Sequence, residues 1–336
     1  MSTKRWMAVF ALTLFLSSCE KIIFKKKGDS TNARENFDYL WEQMDKRYAY
    51  FSYKGVDWNA MRTKYSPRVY DGMSEDSLFN VMGAMLDELR DGHTNLISPF
   101  NISVFDIDLL GPENIDERVV LENYLGTDRT ITGPFQHNFL KNKQVGYVRF
   151  PSFPGSVDDV QLDYILDKYK DTKGLIFDIR QNGGGAIFDA YSILSRFISK
   201  QEFVYTSRGK VGEGHNDFGE LKESRLSPSQ SIRYTKKVVV LTDRGTYSSG
   251  SFFSLMAKAI DNMVVIGDTT GGGFGLPNGG QLPNGWTYRF SITQTLDIFG
   301  NNFENGLPPD KRVLVNNANL QLGIDDVIEA AINEIL

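Results

Sequence analysis

Cysteine is nearly missing. The chain of 336 residues carries Cys19 and no other, which excludes a disulfide framework and a cysteine-built metal site. Histidine is almost as scarce: His93, His137 and His215 stand far apart, so no short-spaced motif such as H-E-x-x-H exists. Neither sign of charge dominates, since 37 Lys+Arg against 42 Asp+Glu leave −5, mixed along the chain. The one basic run, FKKKGD at 24–29, is too small for a nucleic-acid surface, and no nucleic-acid partner is expected. G-x-S-x-G, the Walker G-K-[ST] ending and G-x-G-x-x-G spacing are all absent. Their absence argues against an α/β-hydrolase elbow, a P-loop and a dinucleotide fingerprint. No repeat of fixed period is present, and nothing implies a metal or organic cofactor.

What is present begins with the first residues. MSTKRWMAVFALTLFLSSC has basic Lys4 and Arg5, then an apolar run too short to span a bilayer. That is the build of a secretory signal. Leu16-Ser17-Ser18-Cys19 resembles the bacterial lipobox, in which the cysteine becomes the lipidated first residue. The expectation is a signal peptide over 1–18, a lipidated tether over 19–32 and a lipoprotein anchored in the cell envelope, on the outer membrane and either periplasmic or surface-exposed.

Periodicity divides the remainder. Phe37, Leu40, Trp41, Met44 and Tyr48 recur at helical spacing, VDWNAMRTKY suggests a second helix, and Ser74 can cap a third that carries Leu78, Val81, Met82, Met85 and Leu89. Gly92 stands where a C′ glycine would end that helix. Residues 33–95 therefore read as an N-terminal helical domain. The segment 96–143 is poorly patterned; FNISVFDIDL and ERVVLENYL could be strands, with GPEN and GTDRT as turns. From 144 to 336 short apolar strands (VGYVRF, GLIFDIR, KKVVVLTD, MVVIGD) alternate with amphipathic helices, and IDDVIEAAINEIL closes the chain. This pattern predicts an α/β domain with a mixed, largely parallel sheet and flanking helices.

Ligands of such sheets collect at the carboxyl ends of the strands. Three loops leave those ends: RQNGGGA, DRGTYSSG and GDTTGGGFGLPNGGQLPNG. A serine at a strand-to-helix turn can be a nucleophile with main-chain N–H groups beside it, or Ser248 or Ser249 can simply cap the helix. The three glycines at 183–185 suit a tight turn, a phosphate cradle or an oxyanion hole. The loop 271–285 has seven glycines and reads either as a substrate-cleft flap, with Gly271, Gly272 and Gly273 in it, or as a plain connection. Among the histidines, His93 directly follows a helix end and is the best-placed candidate base.

Taken in order, GLIFDIRQNGGG, VVLTDRGTYSSGSFF, VVIGDTTGGGFG and NGLPPD resemble the S41 serine peptidases, which include the C-terminal processing proteases and the tricorn core. The resemblance extends over nearly all of 33–336 and implies a ClpP/crotonase-like core. It places the nucleophile on Ser248 and one oxyanion donor on the Ser249 N–H. The second donor falls on Gly184, with Gly183 beside it. The lysine that serves as base in the processing proteases is missing; its position is Gly273, and Ser251 stands where a glutamate is common. The tricorn-like branch instead uses a histidine and a glutamate, which match His93 and Glu304. A serine before that histidine is here Gly92, leaving Thr94 as a substitute hydroxyl. Many relatives insert a PDZ domain, for which 96–143 is too short. The implied activity is hydrolysis of a peptide or protein substrate through an acyl-enzyme. The alternative is an inactive S41-like protein that binds a peptide or apolar ligand in the same cleft.

Overall fold

The computed structural model describes residues 32–106 and 111–336. The expected signal peptide, Cys19 and nearly all of the tether lie outside the described residues. Helices Ala33–Arg47, Phe51–Lys54, Trp58–Tyr65 and Glu75–Asp87 come first. Asn32, Asp57 and Ser74 cap three of them, each side-chain oxygen accepting a free N–H of the first turn. Trp41 and Trp58 each donate an indole N–H to the other's carbonyl at 3.0 Å, which fixes two of these helices against each other.

The strands are β1 (Asn95–Ile97), β2 (Ile102–Val104), β3 (Thr130–Thr132), β4 (Phe135–Leu140), β5 (Val145–Arg149), β6 (Gly174–Asp178), β7 (Glu202–Gly209), β8 (Lys222–Leu226), β9 (Lys237–Thr242), β10 (Met263–Gly267), β11 (Pro277–Gln281), β12 (Thr287–Ser291), β13 (Thr293–Leu296) and β14 (Lys311–Arg312). The central sheet has the order β14-β10-β9-β6-β5-β4-β3. It is parallel from β14 to β5 and antiparallel from β5 to β3. Two smaller antiparallel sheets, β11-β12-β1-β2 and β13-β7-β8, flank it.

The unbroken apolar runs in β6 and β9 resolve into two faces because strand side chains alternate. Leu175, Phe177, Val238 and Val240 join one core, beneath helices Asp159–Lys168, Ile187–Leu194 and Ser249–Ala257. Ile176, Val239 and Leu241 join the other, beneath helix Asp326–Ile335. Asp158 and Gln161 form a reciprocal capping box at the start of the first of these helices.

Two features depart from the sequence reading. ERVVLENYL is helical rather than extended: Asp116 caps Glu117–Val119, and the chain continues as a π turn over Val120–Leu125. Val119, Val120 and Tyr124 turn inward together at helical spacing. The helix expected to run to a C′ glycine at Gly92 stops at Asp87, and the left-handed residue beyond it is Arg90, φ 47°.

The helical region does not close its core alone. Leu282, Trp286, Tyr288 and Phe290 from the β11–β12 hairpin are buried in it. β12 also pairs with β1, the strand that begins two residues after His93. A hairpin from late in the chain therefore sets the height of His93 over the central sheet. Trp286 is 3% exposed and packs edge-on against Phe79 and Phe100. Trp286→Ala is expected to cost about 3–5 kcal/mol in denaturant unfolding; a loss under about 1 kcal/mol would show that the hairpin merely rests on the helices.

Candidate active site

The loops after β6, β9 and β10 lie side by side at the carboxyl edge of the sheet and are stitched by their own backbones. The Tyr247 N–H donates to Asn182 O at 2.9 Å, Gly271 N–H to Thr246 O at 2.8 Å, and Ser248 N–H to Gly272 O at 3.0 Å. Asp243 accepts from Gln181 N–H and side chain at 2.8 Å each and from Thr246 N–H at 3.1 Å. This lacing holds Ser248 at φ 53°, ψ −119°, a conformation that costs a non-glycine residue about 1–3 kcal/mol.

That backbone turns the Ser248 side chain away from the helix it precedes. No cap bond forms, so the capping alternative does not describe Ser248. Its Oγ–H donates instead to His93 Nε2 at 3.0 Å. The neighbouring Ser249 hydroxyl donates to Gly185 O at 2.6 Å. His93 is 4% exposed, and its Nδ1 faces Gly275 O at 2.9 Å. A carbonyl can only accept, so Nδ1 carries the proton and the neutral ring offers Nε2 as acceptor. Burial holds the imidazole below its ordinary value of 6.5; Arg289 adds to this, while Asp91 and the Gly275 carbonyl oppose it.

Glu304 reaches the histidine only indirectly. Its Oε2 accepts the N–H groups of Phe274 and Gly275 at 2.7 and 2.9 Å, fixing the residue whose carbonyl meets the ring. The carboxyl is 2% exposed, and burial, then Asp91, push it up to about 8. A side chain expected to touch the imidazole thus acts on it through main chain.

Of the expected oxyanion donors, Gly184 is excluded because its N–H already donates to Asn182 Oδ1 at 3.0 Å. Gly184 serves by lacking a side chain: a Cβ there would sit 2.8 Å from Ser248 Cβ. Gly183 and Ser249 line the cleft beside Ser248, and their N–H groups have no partner among the described residues. The expected cleft glycines also move. Gly272 and Gly273 are buried, a Cβ on Gly272 would lie 1.9 Å from Glu304 O, and Gly273 N–H donates to that same oxygen at 3.0 Å. Gly271 borders a neighbouring depression with Lys54, Asp91 and Glu304. The cleft rim is made by Leu276 and Pro277 instead.

Thr94 supplies no hydroxyl to the ring; its Oγ1 is buried with no partner among the described residues. Ser251 is structural, its hydroxyl lying 3.2 Å from Thr246 O, to which it donates, and 3.0 Å from the Thr270 hydroxyl, from which it accepts. His137 lies in β4 between Thr132 and Tyr169, and burial lowers it to about 4. His215 pairs with Asp45 at 2.8 Å.

Asp91 was not singled out in the sequence. It is buried two residues before His93, accepts the His93 N–H at 2.8 Å and the Tyr48 hydroxyl at 2.7 Å, and so fixes the backbone at His93. Its signal was available as an acidic residue beside a candidate histidine. The Gly275 carbonyl and the Tyr247 ring, edge-on to His93 at 5.0 Å, had none. Around these groups lies a cleft of about 440 Å³, of a size that takes a small ligand or a few residues of peptide.

A model of peptidase family S41 matches residues 144–313, and one of the tricorn protease C1 domain matches 29–87. Carboxy-terminal processing protease CtpA of Bacillus subtilis (strain 168) is 25% identical over 163 residues, 48% of this chain and 33% of that protein. The chain thus spans about a third of the length of the curated relatives it matches. The crystal structure of a candidate peptidase from Parabacteroides merdae ATCC 43184 is 40% identical, with a TM-score of 0.88 over 91% of this chain and 98% of that one. Mature CPAF, 12% identical, shares the fold, with a TM-score of 0.68 over 90% of this chain and 96% of that one. With the family model spanning 144–313 and a relative of 40% identity along nearly its full length, the chain belongs to peptidase family S41.

Proposed function

We propose that the protein hydrolyses peptide bonds through an acyl-enzyme on Ser248, with His93 as base and Glu304 as a positioning residue. The observation that carries this reading is the 3.0 Å contact from a strained, cleft-lining Ser248 to the unprotonated nitrogen of His93. Ser248 Oγ attacks the peptide carbonyl carbon while His93 Nε2 takes its proton. The N–H groups of Ser249 and Gly183 receive the oxyanion. His93 then passes the proton to the leaving amine, and a water activated by the same nitrogen releases the acyl group. Cys19 following Leu16-Ser17-Ser18 supports a lipid-anchored protein of the cell envelope, acting on peptide or protein substrates there.

Ser248→Ala is expected to abolish labelling by a fluorophosphonate and to lower peptide hydrolysis by about 10⁴-fold or more. An unlabelled wild type at every pH would leave only a binding protein in the same cleft. Because the base must be neutral, kcat/KM should rise with pH through the His93 pKa and then level, with a midpoint below 6.5. A midpoint above 7 would contradict a buried imidazole.

Glu304→Gln keeps a carbonyl oxygen for the two N–H groups. It should hold kcat/KM within about tenfold, where loss of a carboxylate bound directly to the ring costs about 10⁴-fold in a serine protease. The same variant tests the carboxyl's ionisation. Its folded value of about 8 exceeds the ordinary 4.5, so the native state keeps a proton that the unfolded chain has released. The resulting stabilisation is full below pH 4.5 and is lost as pH rises to about 8. The Tm of wild type relative to Glu304→Gln should therefore fall between those limits; a flat difference would mean that Glu304 is ionised throughout.

A further inference from the structure

Arg289 stands in the middle of β12 between Tyr288 and Phe290, which are buried in the helical core. Strand alternation turns Arg289 to the opposite face, where it lines the cleft with Ser248, Ile187, Phe252, Leu276 and Pro277. Its partner across the β11 ladder is Gly279, which places no side chain beside it. The guanidinium has no ion pair and no hydrogen bond among the described residues, whereas Arg149, Arg180 and Arg196 are each matched to carboxylates. No aspartate or glutamate lines this cleft, although the chain as a whole carries −5. Arg289 lines the same cleft as His93, Tyr247 and Ser248, so it stands close to the reacting groups.

The geometry points to Arg289 as a specificity residue that recruits substrates bearing a carboxylate near the scissile bond, with an apolar residue seated against Ile187, Phe252 and Leu276. This rests on the reading of the cleft as a peptide site. An arginine with free donors in a half-open cleft binds carboxylates in a forked, two-bond geometry that a lysine cannot reproduce. An amide at the same place would leave the positive charge without its counter-charge. The carboxylate can be the free C-terminus of a peptide or an aspartate or glutamate side chain, and the chemistry of recognition is the same for both.

Binding separates recognition from hydrolysis. Three dye-labelled peptides share one apolar sequence: a C-terminal amide with an internal Gln, the same peptide with a free C-terminal carboxylate, and the amide with Glu in place of Gln. Anisotropy titration of the Ser248→Ala protein should show at least one acidic peptide binding about tenfold or more tighter than the neutral one. Which of the two gains names the source. Adding Arg289→Gln should bring the ratio of acidic to neutral affinity close to one, and Arg289→Lys should keep part of it. With Ser248 intact, the kcat/KM ratio for the same pairs should change in parallel. Equal binding of all three peptides by Ser248→Ala, or a preference that survives Arg289→Gln, overturns the proposal. If wild type cleaves none of them while the preference and its loss are seen, the peptidase reading falls and carboxylate recognition by Arg289 stands.

Discussion

The site depends on one strained residue being held in place. Ser248 occupies a positive-φ conformation that a residue with a side chain disfavours. It persists because the loops on both sides are tied to it by main-chain bonds from Tyr247 to Asn182 and from Ser248 to Gly272. A helix N-terminus with ordinary dihedrals would aim the hydroxyl at its own free N–H groups. Here the strain frees the hydroxyl for His93 and leaves the Ser249 N–H, beside the cleft, without a partner among the described residues. The absence of a side chain at Gly184 lets the glycine turn approach the serine backbone, which brings Gly183 into the same cleft.

The glycine turn needs an anchor of its own, and a buried ionic cluster supplies it. Arg180, fully buried, donates to Asp178 at 2.6 Å, to Asp325 at 2.8 Å and to the Asn114 carbonyl at 2.9 Å. Tyr147 donates to Asp178 at 2.7 Å, and Asp325 also caps the last helix. Burying such charges is costly, and removing one partner leaves the others uncompensated. The cluster is best understood as fixing register: it joins the end of β6, the loop at Asn114 and the C-terminal helix to the turn that precedes Gly183. Strain at Ser248 is therefore offset by the main-chain bonds of its own loops together with bonds distributed over several more distant elements.

Much of this was legible along the chain. The strands and helices after residue 144 have strong periodicity, and their cores form from contacts that the alternation of side chains already implies. ERVVLENYL was ambiguous because β-branched residues suit strands, and only the Asp116 cap and the inward turn of Val119, Val120 and Tyr124 make it helical. Ser248 is legible only through the S41-like SSGS block, since a serine at a helix start is otherwise an ordinary cap, and His93 through its place directly after a helix end. The order of Gly183 and Gly184 was misjudged because adjacent glycines are identical as letters. What distinguishes them is that the Asn182 side chain folds back onto one N–H and not the other.

The α/β alternation, the rim of loops at the carboxyl edge of the sheet and the residue types available there follow from local periodicity and turn chemistry and can be read along the chain. Long-range packing brings His93 to Ser248, bonds the Glu304 carboxyl to the Gly275 backbone and turns Arg289 to the same cleft. The reason is distance along the chain. His93 and Ser248 are separated by 155 positions, and β12 reaches back to pair with β1, so their meeting is set by long-range packing and pairing. No local pattern encodes which buried carbonyl an imidazole will find.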